Sequence, residues 1–298
     1  MSTVHNLVRY LQSNDLPLEV NYLSHTEKFT LLIAIYINDN VENFDLALKS
    51  IVFNTVVPDE ILITVDGPVT DEMNQLISSF AQRLPNVIRV IRQGSNKGRG
   101  YTAALGVRNA RHELIAKMDA DDISNLQRFE KQLPLIQKNN NLDVVGGQIS
   151  EFDDELEITT RRIVPITHEK IIEFSRMRSP INQPTVIFRK SSVLQTGNYS
   201  NLTVMEDYDL WMRMIENKML FQNIDEDLVY MRAPKNMYQR RGGVQYFKTY
   251  KIFRKNLLKR HLISYKDYYK SVIAMSMTAL MPTTFRKKVY SILLRKDN

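Results

Sequence analysis

The chain has 298 residues, 43% of them hydrophobic and 24% charged, which allows one large folded domain with an appendage and excludes wholesale disorder. It contains no cysteine, so disulfides, cysteine-bound zinc and cysteine nucleophiles are excluded. The formal charge of +7 is unevenly spread: residues 235–298 carry 16 Lys and Arg against Asp267 and Asp297, a net of +14, which leaves −7 for residues 1–234.

Residues 1–28 read as a leader with one short helix near 6–13 and no secretory signal pattern. An apolar, branched run at 29–35 predicts a buried strand, and 44–54 has helical spacing. Residues 60–65 predict a second strand, ending at the turn Asp66-Gly67-Pro68; 72–83 is helical and 87–91 a third strand. Residues 100–110 predict a helix and 114–118 a fourth strand. This alternation implies an α/β fold with a mainly parallel sheet. Beyond it come a helix over 123–139 containing Pro134, a short strand at 144–145, strands at 161–165 and 185–188, and a helix over 207–217. A soft boundary lies near 233–236, and from Val244 onward the pattern is long, basic and helical. No apolar run reaches the ~20 residues that span a bilayer. The longest, 272–281, has ten. The expectation is a cytoplasmic protein that touches a membrane from that side.

In open α/β sheets, ligands sit at the carboxyl ends of the strands. Here the first strand runs into Tyr36, Asn38 and Asp39, the second into Asp66, and the fourth into Asp119, Asp121 and Asp122. If these strands are neighbours, their ends converge on one acidic cleft. No glycine-rich phosphate loop is present, since Gly94, Gly98 and Gly100 form no GxGxxG and there is no GxxxxGK[ST]. A phosphorylated ligand then calls for a divalent cation, manganese or magnesium, and the hard oxygens of Asp119 and Asp121 suit one. An Asp-x-Asp turn alone is a weak signal, because solvated acidic turns are common. The pair Glu206-Asp207 is a candidate for general-base work, although acidic residues also favour a helix's first turn for electrostatic reasons alone. Trp211 and Met212 fall at helical apolar spacing and read as core.

In order and spacing, the segments LLIAIYIND, LALKSIVFNT, EILITVDGP, NKGRGYTAALGVRNA, KMDADD with RFEKQL, NQPTVIFRKS and MEDYDLWMRM resemble the family 2 glycosyltransferases. The likeness is greatest to bacterial surface-polysaccharide enzymes of the amylovoran type, and it runs over residues 29–243. It implies a GT-A fold, a Rossmann-like α/β nucleotide-diphospho-sugar transferase with a mostly parallel sheet, followed here by a basic helical C-terminal extension. The implied organisation is a leader (1–28), a catalytic domain (29–234, with a nucleotide-binding half to 122 and an acceptor half from 123) and the basic region (235–298). By resemblance, Ala34, Tyr36 and Asp39 lie by the nucleoside, Asp66 meets the uracil, and Lys97 and Arg99 are near the donor. Asp119 contacts ribose or metal, Asp121 the metal, and Asp207 is the base, with Glu206 beside it. Arg240 and Arg241, in a glycine-ended segment, are candidates for the diphosphate or the acceptor, or else a basic surface loop. The family has a proline before the first loop's aromatic residue, where this chain has Ala34-Ile35-Tyr36.

The implied activity is inverting transfer of a hexose or N-acetylhexosamine from a UDP-sugar to a hydroxyl of a lipid-linked saccharide acceptor. The rival readings are a nucleotidyltransferase and a basic nucleic-acid- or membrane-binding protein without catalysis. The acidic cleft and the lack of any nucleic-acid-reading motif speak against nucleic acid. In the tail, basic residues accompany Tyr246, Phe247, Tyr250, Phe253, Leu257, Leu258, Tyr265, Tyr268 and Tyr269. That mix predicts docking on the anionic inner membrane surface, with packing on the catalytic domain as the alternative.

Overall fold

The computed structural model describes residues 3–16, 27–233 and 243–280. Its first half follows the sequence pattern closely. Strands β1 (Phe29–Ile35), β2 (Glu60–Val65), β3 (Ile88–Arg92) and β4 (Leu114–Asp119) pair in parallel in the order β3-β2-β1-β4. Helices α2 (Val41–Val52), α3 (Asp71–Arg83) and α4 (Arg99–Asn109) connect them, and α1 (Thr3–Ser13) precedes them. Every residue of β2 is buried, as expected of a parallel strand covered on both faces. The period of two sorts the apolar residues. Leu31, Ile33, Ile61 and Ile63 join Phe44, Leu48, Met73 and Phe80 in one core. Leu32, Leu62 and Ile115 join Ala103, Val107, Leu210 and Trp211 in another.

The second half contains β5 (Ile123–Ser124), α5 (Arg128–Lys138), β6 (Leu142–Phe152), β7 (Ile158–Arg162), α6 (His168–Ser175), a 3-10 turn (Gln183–Thr185), β8 (Ile187–Arg189), α7 (Lys190–Gln195), α8 (Glu206–Glu216) and β9 (Leu220–Arg232). The sheet continues β4-β8-β6-β9-β5, with β7 on the side of β6. Here β8 runs antiparallel to β4 and β6, while β6 and β9 are parallel. The expected mainly parallel sheet therefore holds for the first half, and the whole is mixed.

Several elements differ from the sequence expectation. The helix over 123–139 starts only at Arg128, because Ile123 and Ser124 are drawn into pairing with Tyr230 and Val229 of β9. Strand β6 extends far beyond 144–145, and β9, α6 and α7 have no counterpart in the sequence reading. In β9 the acidic run Asp225-Glu226-Asp227 interrupts the alternation, close to the register shifts against β6 near Gln148.

The basic tail forms α9 (Val244–Lys259) and α10 (Tyr265–Leu280). Phe253, Leu257 and Ile263 pack on Tyr208 and Met212 of α8. Arg254 is fully buried; it donates to Tyr208 Oη at 3.0 Å and to the carbonyls of Arg176 and Asp267. One guanidinium thus ties α9 to α8, to the segment after α6 and to α10. Tyr250, Phe253 and Leu257, which the sequence offered to a bilayer, are instead buried. Their three- and four-residue spacing makes one helix face, and α8 supplies an apolar partner for it. Among the described residues no helix is long and apolar enough to cross a membrane.

Candidate active site

The sheet register brings the predicted strand ends together. Ala34 lies opposite both Thr64 of β2 and Asp119 of β4, and Ile35 opposite Val65. Tyr36, Asp66 and Asp119 therefore emerge side by side at one edge of the parallel sheet.

The loop after β1 is a tight turn. Asp39 N donates to the Tyr36 carbonyl at 3.1 Å, and Tyr36 N donates back to Asp39 Oδ2 at 2.8 Å. Burial pushes the Asp39 carboxyl up to about 7; the Tyr36 N–H opposes that, and the charges of Asp121 and Asp119 add to it. Three carboxylates thus feel one another across the loops after β1 and β4.

Asp66 is buried, and its carboxylate is already engaged. It accepts from Lys97 N at 2.7 Å, Gly98 N at 2.9 Å and Gln93 Nε2 at 3.3 Å. Here it fastens the segment that leads into α4. Gly98 has φ +88, a conformation that favours glycine, and a β-carbon on Gly100 would fall 2.0 Å from the Ser200 carbonyl oxygen. These two glycines let the start of α4 sit against the segment before α8. Lys97 and Arg99 are then exposed at the rim.

The acidic run after β4 divides by orientation. Asp119 and Asp121 are exposed, whereas Asp122 is buried and accepts Arg232 N at 3.0 Å. The Asp122 carboxyl is held well above the usual range by burial first and then by Asp121 and Asp119. Two side chains face the cleft while the third pins the end of β9.

On the opposite wall, Met205 takes φ +65, a left-handed conformation that costs a residue with a β-carbon about 1–3 kcal/mol. That turn starts α8 with Glu206 and Asp207 in its first turn, where the helix dipole favours acids. Asp207 Oδ1 accepts Tyr208 N at 2.7 Å. The Glu206 and Asp207 carboxyls are both raised above ordinary values. For each, burial is the main cause; Asp207 adds to the rise of Glu206, and Asp119 adds to that of Asp207. Arg99 Nη1 lies 3.9 Å from Glu206 Oε1, so the two walls meet.

Three further residues belong to this cleft although the sequence reading assigned them no role. Lys117 is buried on β4, two positions before Asp119 and on the same face. Its ammonium lies 5.9 Å from the centre of the Tyr199 ring. Burial pulls its pKa down, against the charges of Asp119, Glu206 and Asp207. Tyr199 Oη accepts from Gln183 Nε2 at 2.8 Å. The signal for Lys117 was in the chain, as a lone charge inside an apolar strand. Gln183 stood in the segment NQPTVIFRKS, and only Tyr199 carried no signal. Arg240 and Arg241 lie outside the described residues.

A comparison with known families and proteins bears on this geometry. The profile described as Glycosyl transferase family 2 matches residues 31–203. The chain belongs to this family. It is 34% identical over 272 residues to the Escherichia coli UDP-Gal:alpha-D-GlcNAc-diphosphoundecaprenol beta-1,3-galactosyltransferase, covering 91% of this chain and 98% of that protein. It is 32% identical over 270 residues to the amylovoran biosynthesis glycosyltransferase AmsE of Erwinia amylovora, covering 90% and 98%. Among solved structures, S. aureus TarS 1-349 in complex with UDP-GlcNAc aligns with TM-score 0.58 at 16% identity, over 90% of this chain and 71% of that one. The mannosyltransferase PcManGT from Pyrobaculum calidifontis, in complex with GDP-Man and Mn2+, aligns with TM-score 0.59 at 9% identity, over 96% and 79%. These two likenesses concern the fold, which is GT-A with a helical C-terminal part. This family 2 glycosyltransferase therefore carries its acidic cleft where the parallel half of a GT-A sheet ends.

The residues present suit a divalent cation. Asp119 and Asp121 offer hard oxygen donors, and the mutual charge they impose on Asp39 and Asp122 is of the kind a cation relieves. Among the described residues no group of three or more His, Asp or Glu is gathered to hold a metal by itself. Two carboxylates completed by phosphate oxygens of a ligand is a usual arrangement for magnesium.

Proposed function

We propose that this glycosyltransferase transfers a hexose or N-acetylhexosamine from a UDP-sugar, with inversion, to a hydroxyl of a lipid-linked saccharide in surface-polysaccharide synthesis. The observation that carries the mechanism is the meeting of the two walls: Glu206 and Asp207 of α8 stand within the electrostatic reach of Asp119 and Arg99. The relative named for a diphosphoundecaprenol-linked acceptor, similar over nearly all its length, supports the substrate class.

Asp207 is the general base. As the acceptor oxygen forms its bond to the anomeric carbon, Asp207 takes the hydroxyl proton and the bond to the UDP phosphate oxygen breaks. One base and one leaving group give a single displacement, so a UDP-α-sugar yields a β-linkage. Tyr36, Asp39, Lys97 and Arg99 surround the donor, with Ala34 at the strand end beneath it. Asp66 acts by holding Lys97 and Gly98 in place, through the two hydrogen bonds it accepts from them. Asp119 and Asp121 would hold manganese or magnesium, which when bound offsets the charge of the departing diphosphate. The catalytic region is taken as residues 29–234, with 1–28 and 235–298 as appendages.

The tail helices add a membrane contact in this reading. With part of α9 buried on α8, the exposed apolar residues are Val244 and Ile252 on α9 and Tyr265, Tyr269, Ile273 and Met277 on α10. The α10 residues recur every four positions as a ridge, with Lys266 and Lys270 exposed beside them. An anionic cytoplasmic leaflet matches that mix of apolar and basic side chains.

The test is a screen of UDP-sugars with a diphospholipid-linked monosaccharide acceptor, reading product by mass and anomeric configuration. Inverted glycoside is the expected product. Retained configuration would overturn the single displacement, and no transfer from any UDP-sugar would overturn the donor class.

A further inference from the structure

The segment joining α6 to the 3-10 turn, residues 176–182, runs between the acidic cleft and the tail helices. Asn182 Nδ2 donates to the Arg162 carbonyl at 3.1 Å, which lays the segment along the end of β7. At its other end the Arg176 carbonyl accepts from Arg254 of α9. Between these anchors, Arg178 is half-buried with its guanidinium 4.3 Å over the Phe174 ring. Among the described residues no carboxylate is paired with Arg178, and the charge that acts on it is another arginine. Burial lowers its pKa, and Arg162 lowers it further. Arg162 is itself held by the buried Glu151 at 3.0 Å, and its charge reaches Asp122 behind the cleft.

A partly desolvated guanidinium beside a second one, with no carboxylate of its own, is an unfavourable arrangement when empty. An anion with several oxygens relieves it, since the planar fork of arginine matches phosphate in a bidentate manner. Two exposed apolar side chains, Ile163 and Ile166, follow Arg162 directly on the connector to α6. The Ser175 carbonyl just before the segment accepts from Tyr208 Oη of α8, and Gln183 just after it donates to Tyr199 of the cleft, so the segment lies on the α8 side of the cleft and next to α9. We propose that Arg178, with Arg162 beside it, binds the diphosphate through which a lipid-linked acceptor is anchored, with Ile163 and Ile166 flanking the start of its hydrocarbon chain. This rests on the reading of the acceptor as lipid-linked. It adds the groups that would recognise the anchor rather than the sugar.

The experiment uses the full chain and farnesyl diphosphate as a short prenyl diphosphate probe. Calorimetry in EDTA removes any route through a cation at Asp119 and Asp121. Wild-type protein should bind the probe more tightly than farnesol. Arg178→Gln should weaken probe binding about tenfold or more, the scale of a lost charge-assisted hydrogen bond. Arg178→Lys should recover part of the loss. With manganese present, the affinity of Arg178→Gln for UDP should stay within about twofold of wild type, as for a site remote from the nucleotide. Undiminished probe binding by a folded Arg178→Gln protein overturns the proposal. An equal loss for UDP also overturns it, by assigning the arginine to the donor diphosphate. Farnesol binding to wild type as tightly as the diphosphate overturns it without any variant. A wild-type enzyme that transfers sugar yet ignores both farnesyl diphosphate and inorganic pyrophosphate would sink this proposal and leave the glycosyltransferase reading standing. Failure to use any UDP-sugar, with probe binding intact, would overturn the donor class and leave this site standing.

Discussion

Arg99, the first residue of α4, reaches across the cleft to Glu206, the first residue of α8, with Nη1 3.9 Å from Oε1. The Arg99 side chain is 73% exposed, so the pair adds little to stability, within about 1 kcal/mol. Its consequence is positional. It links the wall that bears the predicted donor residues to the wall that bears the predicted base.

From that arrangement, Asp207→Asn should abolish transfer while leaving UDP-sugar affinity nearly unchanged, because the amide keeps the size and loses the basicity. The check is turnover beside calorimetry on the same preparation. Retention of more than about a tenth of wild-type turnover would remove Asp207 from the role of base.

UDP binding should require a divalent cation, with manganese or magnesium effective. Affinity measured in EDTA should collapse, and Asp121→Ala should reproduce the loss with cation present. Equal affinity with and without EDTA would refute the assignment of Asp119 and Asp121 as ligands.

The raised carboxyls predict a pH dependence. Asp207 must be ionised to act, so kcat/KM should fall as the pH drops through a value above the ordinary 3.8 of an aspartate. For Asp39, held at about 7, the neutral form is the one the fold favours. Its contribution to stability is present in full below its ordinary value of 3.8 and is lost as the pH rises towards 7. Asp39→Asn mimics that neutral form. Its melting temperature in EDTA, relative to wild type, should therefore climb from pH 4.5 to pH 7.5. A flat difference would mean that Asp39 is not strained by its surroundings.

The exposed ridge of α10 should carry membrane contact. Full-length protein is expected to sediment with anionic vesicles at low salt, less at high salt, and hardly at all with neutral ones. Replacing Tyr265 and Tyr269 with serine should halve the bound fraction or more. Binding unaffected by these changes and by salt would exclude this face.

Much of the fold was legible in local pattern. The apolar, branched runs of β1, β2 and β4 and the helical spacing of α2 and α3 need no knowledge of distant residues. Those strands end in Tyr36, Asp66 and Asp119, so the candidate cleft followed once they were taken as neighbours. The tertiary structure decided what depends on partners far along the chain. Asp66 spends its carboxylate on the backbone of Lys97 and Gly98, some 30 positions away. Lys117 is buried by Tyr199 and feels the charges of the acids of α8, and Asp122 turns inward to meet the Arg232 backbone. The tail shows the same limit: its basic, aromatic pattern suits a bilayer or a protein surface equally. Only the apolar flank of α8, with Tyr208 and Met212, buries Phe253 and Leu257 and leaves Tyr265 and Tyr269 outside. Periodicity reports which face of an element is apolar, and burial depends on what the rest of the chain brings against that face.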